Sequence, residues 1–187
     1  MPAPAEALGP LVAAQRQCAP LIAGAWPIDL AADRLKAPGI DALIAAGILT
    51  RKTTASDTGE RPSFSIEVAP GGRDWVELRQ LNQGGGTTPF LCYGKRQLAD
   101  ARAGAGDTAS YSFRVVEAAP WTGRPDINAA FPFLRTALGG KIEASTPASR
   151  RDGQWLLPEH ADWQPGKGLE QTGFYPCLPG DREHACG

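Results

Sequence analysis

The four cysteines of this chain constrain its fold more than any other feature, because each pairing would close a loop of defined length. An even number of cysteines, with 17 prolines, 22 glycines and one methionine in 187 residues, is typical of proteins from an oxidising compartment. The turn residues around Cys177 and Cys186 favour a disulfide between those two, which would stabilise by about 2.7 kcal/mol in the chain-entropy model. The pairing left over is Cys18 with Cys92, worth about 4.5 kcal/mol in the same model. Four reduced, buried thiols are the alternative.

The charge balance argues against partners that bind through a strong electrostatic field. Lys and Arg number 19 against 20 for Asp and Glu, which leaves a net charge of -1. We therefore expect no nucleic-acid partner. The longest apolar stretches, such as Ala42 to Leu49, are far shorter than the roughly 20 residues that cross a bilayer, so no membrane span is expected.

The first residues of the chain bear on its location. The start Met1-Pro-Ala-Pro-Ala-Glu has neither the basic segment nor the apolar segment of a signal peptide. We expect that a leader has been cut away ahead of Pro2 and that the protein is periplasmic or secreted. A cytoplasmic protein would begin in the same way, so that location stays open.

Apolar spacing in the first third of the chain predicts three helices. Residues 5–24 form a helical pattern interrupted by two prolines, and residues 28–35 form a second, short one. The third begins at Ile40 and has Gly47 as its C-terminal cap. Two strands then follow at residues 64–68 and 75–81, and the turn between them predicts a β-hairpin.

A run of three glycines, Gly84–Gly86, predicts a boundary between residues 1–83 and residues 87–187, although one compact unit is expected. In the second part, the alternation of Tyr111, Phe113 and Val115 with polar residues is the strongest strand pattern of the chain. Further strands are expected at 89–93, 141–145 and 154–157, with a solvated turn at Arg150-Arg151. A helix should begin at Asp126 as its N-cap and be kinked at Pro132. The tail should pack back on the core through Trp163, Phe174 and Tyr175.

The segment DALIAAGILTRK, with the FSIEVAPGGRDWV segment that follows it, resembles the third helix and wing of a winged-helix domain over residues 30–76. Such domains bind DNA by presenting basic and amide side chains on that helix. Here the helix offers Asp41 and alanines, with Arg51 and Lys52 only at its end. We therefore expect a scaffold for protein packing, and a winged-helix transcription regulator is kept as an alternative.

The second part of the chain resembles uncharacterised exported bacterial proteins. The likeness rests on Cys92-Tyr93-Gly94, Tyr111-Ser112-Phe113 and Pro120-Trp121. It implies an envelope location and no particular activity.

Four residues that can bind zinc lie near the C-terminus: His160, Cys177, His184 and Cys186. Structural zinc sites use paired ligands such as CxxC, and His184-Ala185-Cys186 does not have that spacing. We therefore predict that the two cysteines form a disulfide and that the two histidines lie on the surface. We predict no bound metal and no cofactor.

Catalytic motifs are also missing. Neither of the two histidines lies near a G-x-S-x-G elbow or a thiol nucleophile motif, so we predict no catalytic residue. An exported hydrolase remains an alternative, with carboxylates around two tryptophans that resemble a sugar-binding cleft: Asp152, Glu159 and Asp162 with Trp155 and Trp163.

The sequence therefore predicts an α+β fold, in which a winged-helix-like part with a β-hairpin packs on a second antiparallel β-sheet with one helix. The leading function is that of a non-catalytic exported protein acting through contacts with another protein. Its expected interaction surface is Trp121, Trp155 and Trp163. The sequence sets no oligomeric state.

Overall fold

The computed structural model describes residues 4–21, 26–31, 37–54, 63–80, 86–158 and 173–175, and these form an α+β fold. The helices are α1 (Pro4–Ala13), α2 (Pro38–Ala45), α3 (Pro125–Ala130) and α4 (Phe133–Gly139). The strands are β1 (Arg16–Pro20), β2 (Ile28–Ala31), β3 (Leu49–Thr54), β4 (Ser63–Val68), β5 (Val76–Gln80), β6 (Thr87–Ala103), β7 (Thr108–Val116), β8 (Lys141–Glu143), β9 (Ala148–Arg151) and β10 (Gln154–Leu156).

The larger antiparallel sheet is built around one long strand. Its order is β1-β6-β7-β9-β10, with β5 also paired to β6 and β8 also paired to β7. Strand β6 has 17 residues, so its first half pairs with β1 and β5 while its second half pairs with β7. Strands that precede Gly84–Gly86 therefore share one sheet with strands that follow it, and residues 81–85 lie outside the described part.

The smaller sheet has the order β2-β4-β3. Its strand β2 corrects the first half of the helix expected over residues 28–35, and residues 32–35 lie outside the described part. Ile28 lies opposite Ile66 of β4, and both side chains are buried. A segment of four residues is too short to show a clear period, so tertiary pairing decides its conformation.

The N-terminal helix is shorter than expected. Helix α1 ends at Ala13, and the chain then extends as β1 along β6 instead of continuing a broken helix to residue 24. Cys18 consequently lies on a strand. The third expected helix is confirmed as α2, and Gly47 follows its end with a φ of +72°.

The expected hairpin between residues 64–68 and 75–81 is wrong, because the two strands belong to different sheets. Strand β4 pairs with β2 and β3, and β5 pairs with β6. The segment Pro70–Gly72 forms a 3-10 turn that packs Gly72 against the backbone of Ile48. The turn thus carries the chain from one sheet to the other.

The expected helix from Asp126 is two helices. Arg124 is the residue at the N-cap, and Asp126 lies inside the first turn of α3. Helix α3 ends at Ala130 and α4 starts after Pro132, because a proline has no N–H to continue the hydrogen-bond ladder. The expected strands at 141–145 and 154–157 are confirmed as β8 and β10. Arg150 and Arg151, expected in a turn, are part of strand β9.

The main core lies between the two sheets and helices α2 to α4, and a second cluster lies under α1. The expected packing of the tail is confirmed at Phe174, which is fully buried beside Tyr93, Trp121, Phe131 and Phe133. Trp163 lies outside the described residues. None of the helices in the described ranges has the length and apolar character needed to cross a membrane.

Candidate functional site

A groove of about 540 Å³ separates helix α1 from the β9–β10 hairpin. Its surface is mainly apolar, with one arginine at its side. The residues that line it are Pro4, Ala7, Pro10, Leu11, Arg150, Gly153, Gln154 and Trp155.

Helix α1 supplies one wall of this groove. Leu8 and Val12 are one helical turn apart, and both are completely buried in the cluster under the helix. Ala7 and Leu11 are also four residues apart, and each precedes one of these buried residues by one position. Their side chains therefore lie next to each other on the neighbouring face of the helix. Leu11 is 38% exposed although it is a large apolar side chain. The helix is therefore fixed by its inner face and offers an apolar outer edge.

The β9–β10 hairpin supplies the other wall. Asp152 and Gly153 have φ values of 51° and 81°, as the two central residues of a type I′ turn require. The turn sets the register, which places Trp155 directly opposite Arg150. Directly opposite side chains point to the same face of a hairpin, so both reach the groove.

Hydrogen bonds hold the arginine at the groove. Arg150 Nε donates to the carbonyl oxygen of Gly153 at 3.2 Å, and the Arg150 backbone N–H donates to Asp107 O at 2.8 Å. The half-buried Trp155 packs against the cluster under α1. The groove therefore presents a leucine and a tryptophan side chain beside one arginine.

Of the three tryptophans expected on an interaction surface, Trp155 lines the groove. Trp121 does not belong to a surface, because it is 5% exposed and packs 5.7 Å from the ring of Phe174. It lies on the 3-10 turn Pro120–Gly123, which directs the ring inward. Trp163 lies outside the described residues.

The expected Cys18–Cys92 disulfide is present and joins β1 to β6. Asp152, one of the proposed hydrolase carboxylates, is exposed at the hairpin turn. The other residues of the disulfide, zinc and hydrolase hypotheses lie outside the described part: Glu159, His160, Asp162, Cys177, His184 and Cys186.

A carboxylate held by arginines lies beside the disulfide. Arg79 donates to Glu77 Oε2 through Nη2 at 2.6 Å and through Nε at 3.0 Å. The other oxygen, Oε1, is 3.5 Å from Arg16 Nη1 and 3.9 Å from Cys18 Sγ. One oxygen of Glu77 is thus anchored and the other faces the sulfur atoms.

The basic residues of the winged-helix resemblance are on strand β3, not at a helix end. Arg51 Nη2 is 2.9 Å from Asp41 Oδ1, and Lys52 forms an ion pair with Glu67. Both cations therefore have carboxylate partners within the small sheet and helix α2.

A further ion pair stands at the start of α3. The Arg124 guanidinium hydrogen-bonds to Asp126 and lowers the pKa of that carboxyl, while desolvation opposes the effect and the Ile127 N–H supports it. The same hydrogen bond raises the pKa of Arg124. Both side chains are about two-fifths exposed, and Asp126 also lines an open groove of about 480 Å³ between α2 and α3.

The sequence pointed to Trp155, which lines the groove, but not to Leu11 and Arg150, which line it as well. The Asp152-Gly153 dipeptide between two short runs is a hairpin pattern that predicts Arg150 beside Trp155. Nothing comparable in the sequence shows that α1 packs next to this hairpin. Comparison of the chain with protein-family models, curated proteins and solved structures gives no match in any of the three.

Proposed function

We propose that the protein is a non-catalytic binding protein of an oxidising compartment, and that the groove between α1 and the β9–β10 hairpin takes an apolar segment of a partner protein. One observation carries the proposal: Leu11, 38% exposed, faces a groove that also holds Trp155 and Arg150. Exposed leucines are ordinary when they occur singly. A leucine beside a tryptophan and an arginine in a groove has the composition of an interaction site.

The walls of the groove favour binding because both are anchored. Leu8 and Val12 fix α1 from below, and Ala148 of β9 is buried in the same cluster. A preformed groove loses little conformational entropy when a partner is bound. The interaction would therefore need no folding step in this protein.

The location in an oxidising compartment is supported by the Cys18–Cys92 disulfide. Such bonds persist in the periplasm and outside the cell and are rare in the cytosol. Alkylation of free thiols inside intact cells, followed by mass analysis, tests this part. We expect Cys18 and Cys92 to resist alkylation until a reductant is added, and alkylation of both without reductant would contradict it.

The binding proposal is tested by a photo-crosslinking amino acid placed at position 11 in cells that make the protein. Position 78 is the matched control, because Leu78 is 53% exposed on β5 and does not line the groove. We expect one discrete protein adduct from position 11 and none from position 78. The same adducts from both positions, or none from either, would overturn the proposal.

A second arm asks whether the adduct depends on the groove. Trp155→Ala should reduce the position 11 adduct at least tenfold, since aromatic anchors contribute much of the energy of protein interfaces. Leu156→Ala is the control, because Leu156 alternates with Trp155 on β10 and lies outside the groove lining. An adduct that survives Trp155→Ala undiminished in a folded variant counts against the groove.

A further inference from the structure

We propose that Cys18, Cys92 and Glu77 form a redox-gated site for a soft divalent cation such as zinc. In the oxidised protein the two sulfurs are joined and the site is closed. In the reduced protein the two thiolates and the carboxylate would hold the cation between β1, β5 and β6.

The donor atoms are already close together. One oxygen of Glu77 and the sulfurs of Cys18 and Cys92 all lie within 4.8 Å of one another. Two sulfurs that ligate a tetrahedral zinc, each at about 2.3 Å, are about 3.8 Å apart. Once the S–S bond is broken, small side-chain rotations therefore suffice to reach ligand geometry.

The sheet fixes the backbone from which these ligands project. Cys18 lies directly opposite Cys92 in the β1–β6 register. Glu77 lies opposite Phe90 on the other neighbour of β6, two residues from Cys92. Three adjacent strands thus each supply one donor, and no loop has to fold around the ion.

Arg79 orients the Glu77 carboxylate in the way that neighbouring groups orient metal-binding carboxylates. Arg79 anchors Glu77 Oε2 and stacks 4.4 Å from the centroid of the Phe90 ring, so Oε1 faces the sulfurs. Partners that hold a ligating carboxylate in this way are a regular part of metal sites. Because Arg16 approaches Oε1 at 3.5 Å, that weak contact is the one the cation would replace.

Charge also suits a bound cation. Two thiolates and one carboxylate carry three negative charges and the adjacent Arg16 and Arg79 carry two positive charges, so the reduced site has a net charge of about -1, which attracts a divalent cation. The buried sulfurs would then not carry an uncompensated negative charge. Cys18 and Cys92 are both buried, whereas Glu77 is half-buried, so a water molecule can reach the fourth coordination position.

The reduction step is a two-electron exchange with a dithiol. The dithiol gives two electrons and two protons to the S–S bond, which becomes two thiols, and is itself oxidised to a disulfide. The two thiol protons then pass to water as the sulfurs ligate the cation. Either state cross-links β1 to β6, through a covalent bond or through the metal.

The test uses the full chain with Cys177→Ser and Cys186→Ser, so that Cys18 and Cys92 are the only cysteines left. The protein is reduced with a phosphine, which becomes the phosphine oxide as water supplies its oxygen, and is desalted without air. Cadmium and zinc are then titrated into reduced and oxidised samples. Thiolate-to-cadmium absorbance and zinc content are measured.

We expect one cation per reduced chain and none per oxidised chain. Glu77→Gln should weaken the affinity of the reduced protein at least tenfold, while Glu67→Gln, a carboxylate on β4, should leave it unchanged. The bound cation should also protect both cysteines from alkylation. If reduction unfolds the chain, added zinc should restore its circular dichroism.

Any of three results would overturn the proposal. The reduced protein could bind no stoichiometric metal, Glu77→Gln could bind the cation as tightly as its parent, or zinc could fail to refold a reduced, unfolded chain. Binding by the oxidised protein would equally contradict it, since the sulfurs would then not be the ligands.

Discussion

Arg96 Nε donates a hydrogen bond to Gln17 Oε1 at 2.8 Å, so a buried charge on β6 is tied to a buried amide on β1. The amide nitrogen of Gln17 in turn lies 3.1 Å from the hydroxyl of Tyr93. The guanidinium also donates to Gln15 Oε1 at 2.6 Å and stacks 4.6 Å from the centroid of the Phe113 ring. These contacts matter because a buried charge without partners is strongly unfavourable.

Replacing Gln17 with Leu should destabilise the protein. The change removes an acceptor from the buried guanidinium, and hydrogen bonds to charged groups contribute about 1.5–3 kcal/mol each. We expect a loss of that size in the free energy of unfolding, measured by urea denaturation. Gln97→Leu is the control on the exposed side of β6 and should change stability by less than about 0.5 kcal/mol. Equal losses for both variants would contradict a structural role of the Gln17–Arg96 bond.

Phe174 should be essential to the main core although it lies in the C-terminal part of the chain. Its ring is fully buried and is 5.0 Å from the ring centroids of both Phe131 and Phe133. Truncation of a buried phenylalanine leaves a cavity, so Phe174→Ala should cost about 3–5 kcal/mol. The exposed Leu156→Ala should cost less than about 1 kcal/mol in the same thermal or urea unfolding measurement. A similarly small loss for Phe174→Ala would show that the tail does not dock there.

Gly72 should not tolerate a side chain. A Cβ atom built at this position lies 2.8 Å from the carbonyl carbon of Ile48, which is backbone and cannot rotate away. We expect Gly72→Ala to lower the free energy of unfolding by about 1–3 kcal/mol, as overpacking does. Gly123 has open space around the same atom, so Gly123→Ala should be neutral or slightly stabilising. Unfolding curves that rank the two variants the other way would refute this account of the turn.

The sequence predicted the elements whose pattern is local. Strand β7 was predictable because Tyr111, Phe113 and Val115 alternate with polar residues along most of it, and α2 because its apolar residues repeat at helical spacing. Residues 16–20 and 28–31 were not predictable. These segments of five and four residues are too short and too mixed in polarity to show a period, and pairing with the distant strands β6 and β4 decides their conformation.

The candidate site was predictable only in part, for the same reason. Trp155 could be proposed for an interaction surface, and the Asp152-Gly153 turn could have placed Arg150 beside it. Trp121 could not be assigned to the core, because that depends on Phe174, more than 50 residues away. The position of α1 beside the hairpin likewise depends on the whole larger sheet.

The Arg124–Asp126 pair should make the start of α3 sensitive to acid. The hydrogen bond from Arg124 lowers the pKa of Asp126 below its ordinary value of 3.8 in the folded protein. A group with a depressed folded pKa stabilises the fold fully above its unfolded pKa, and the stabilisation is lost as pH falls through the folded value. The pH dependence from this pair should therefore be confined to the region below about pH 4, and should weaken with added salt because the pair is exposed.

Nuclear magnetic resonance titration of the Asp126 carboxyl carbon should give a midpoint below 3.8 in the parent and a higher one in Arg124→Gln, with Arg135→Gln as the unaffected control. A midpoint that Arg124→Gln leaves unchanged would remove the arginine as the cause.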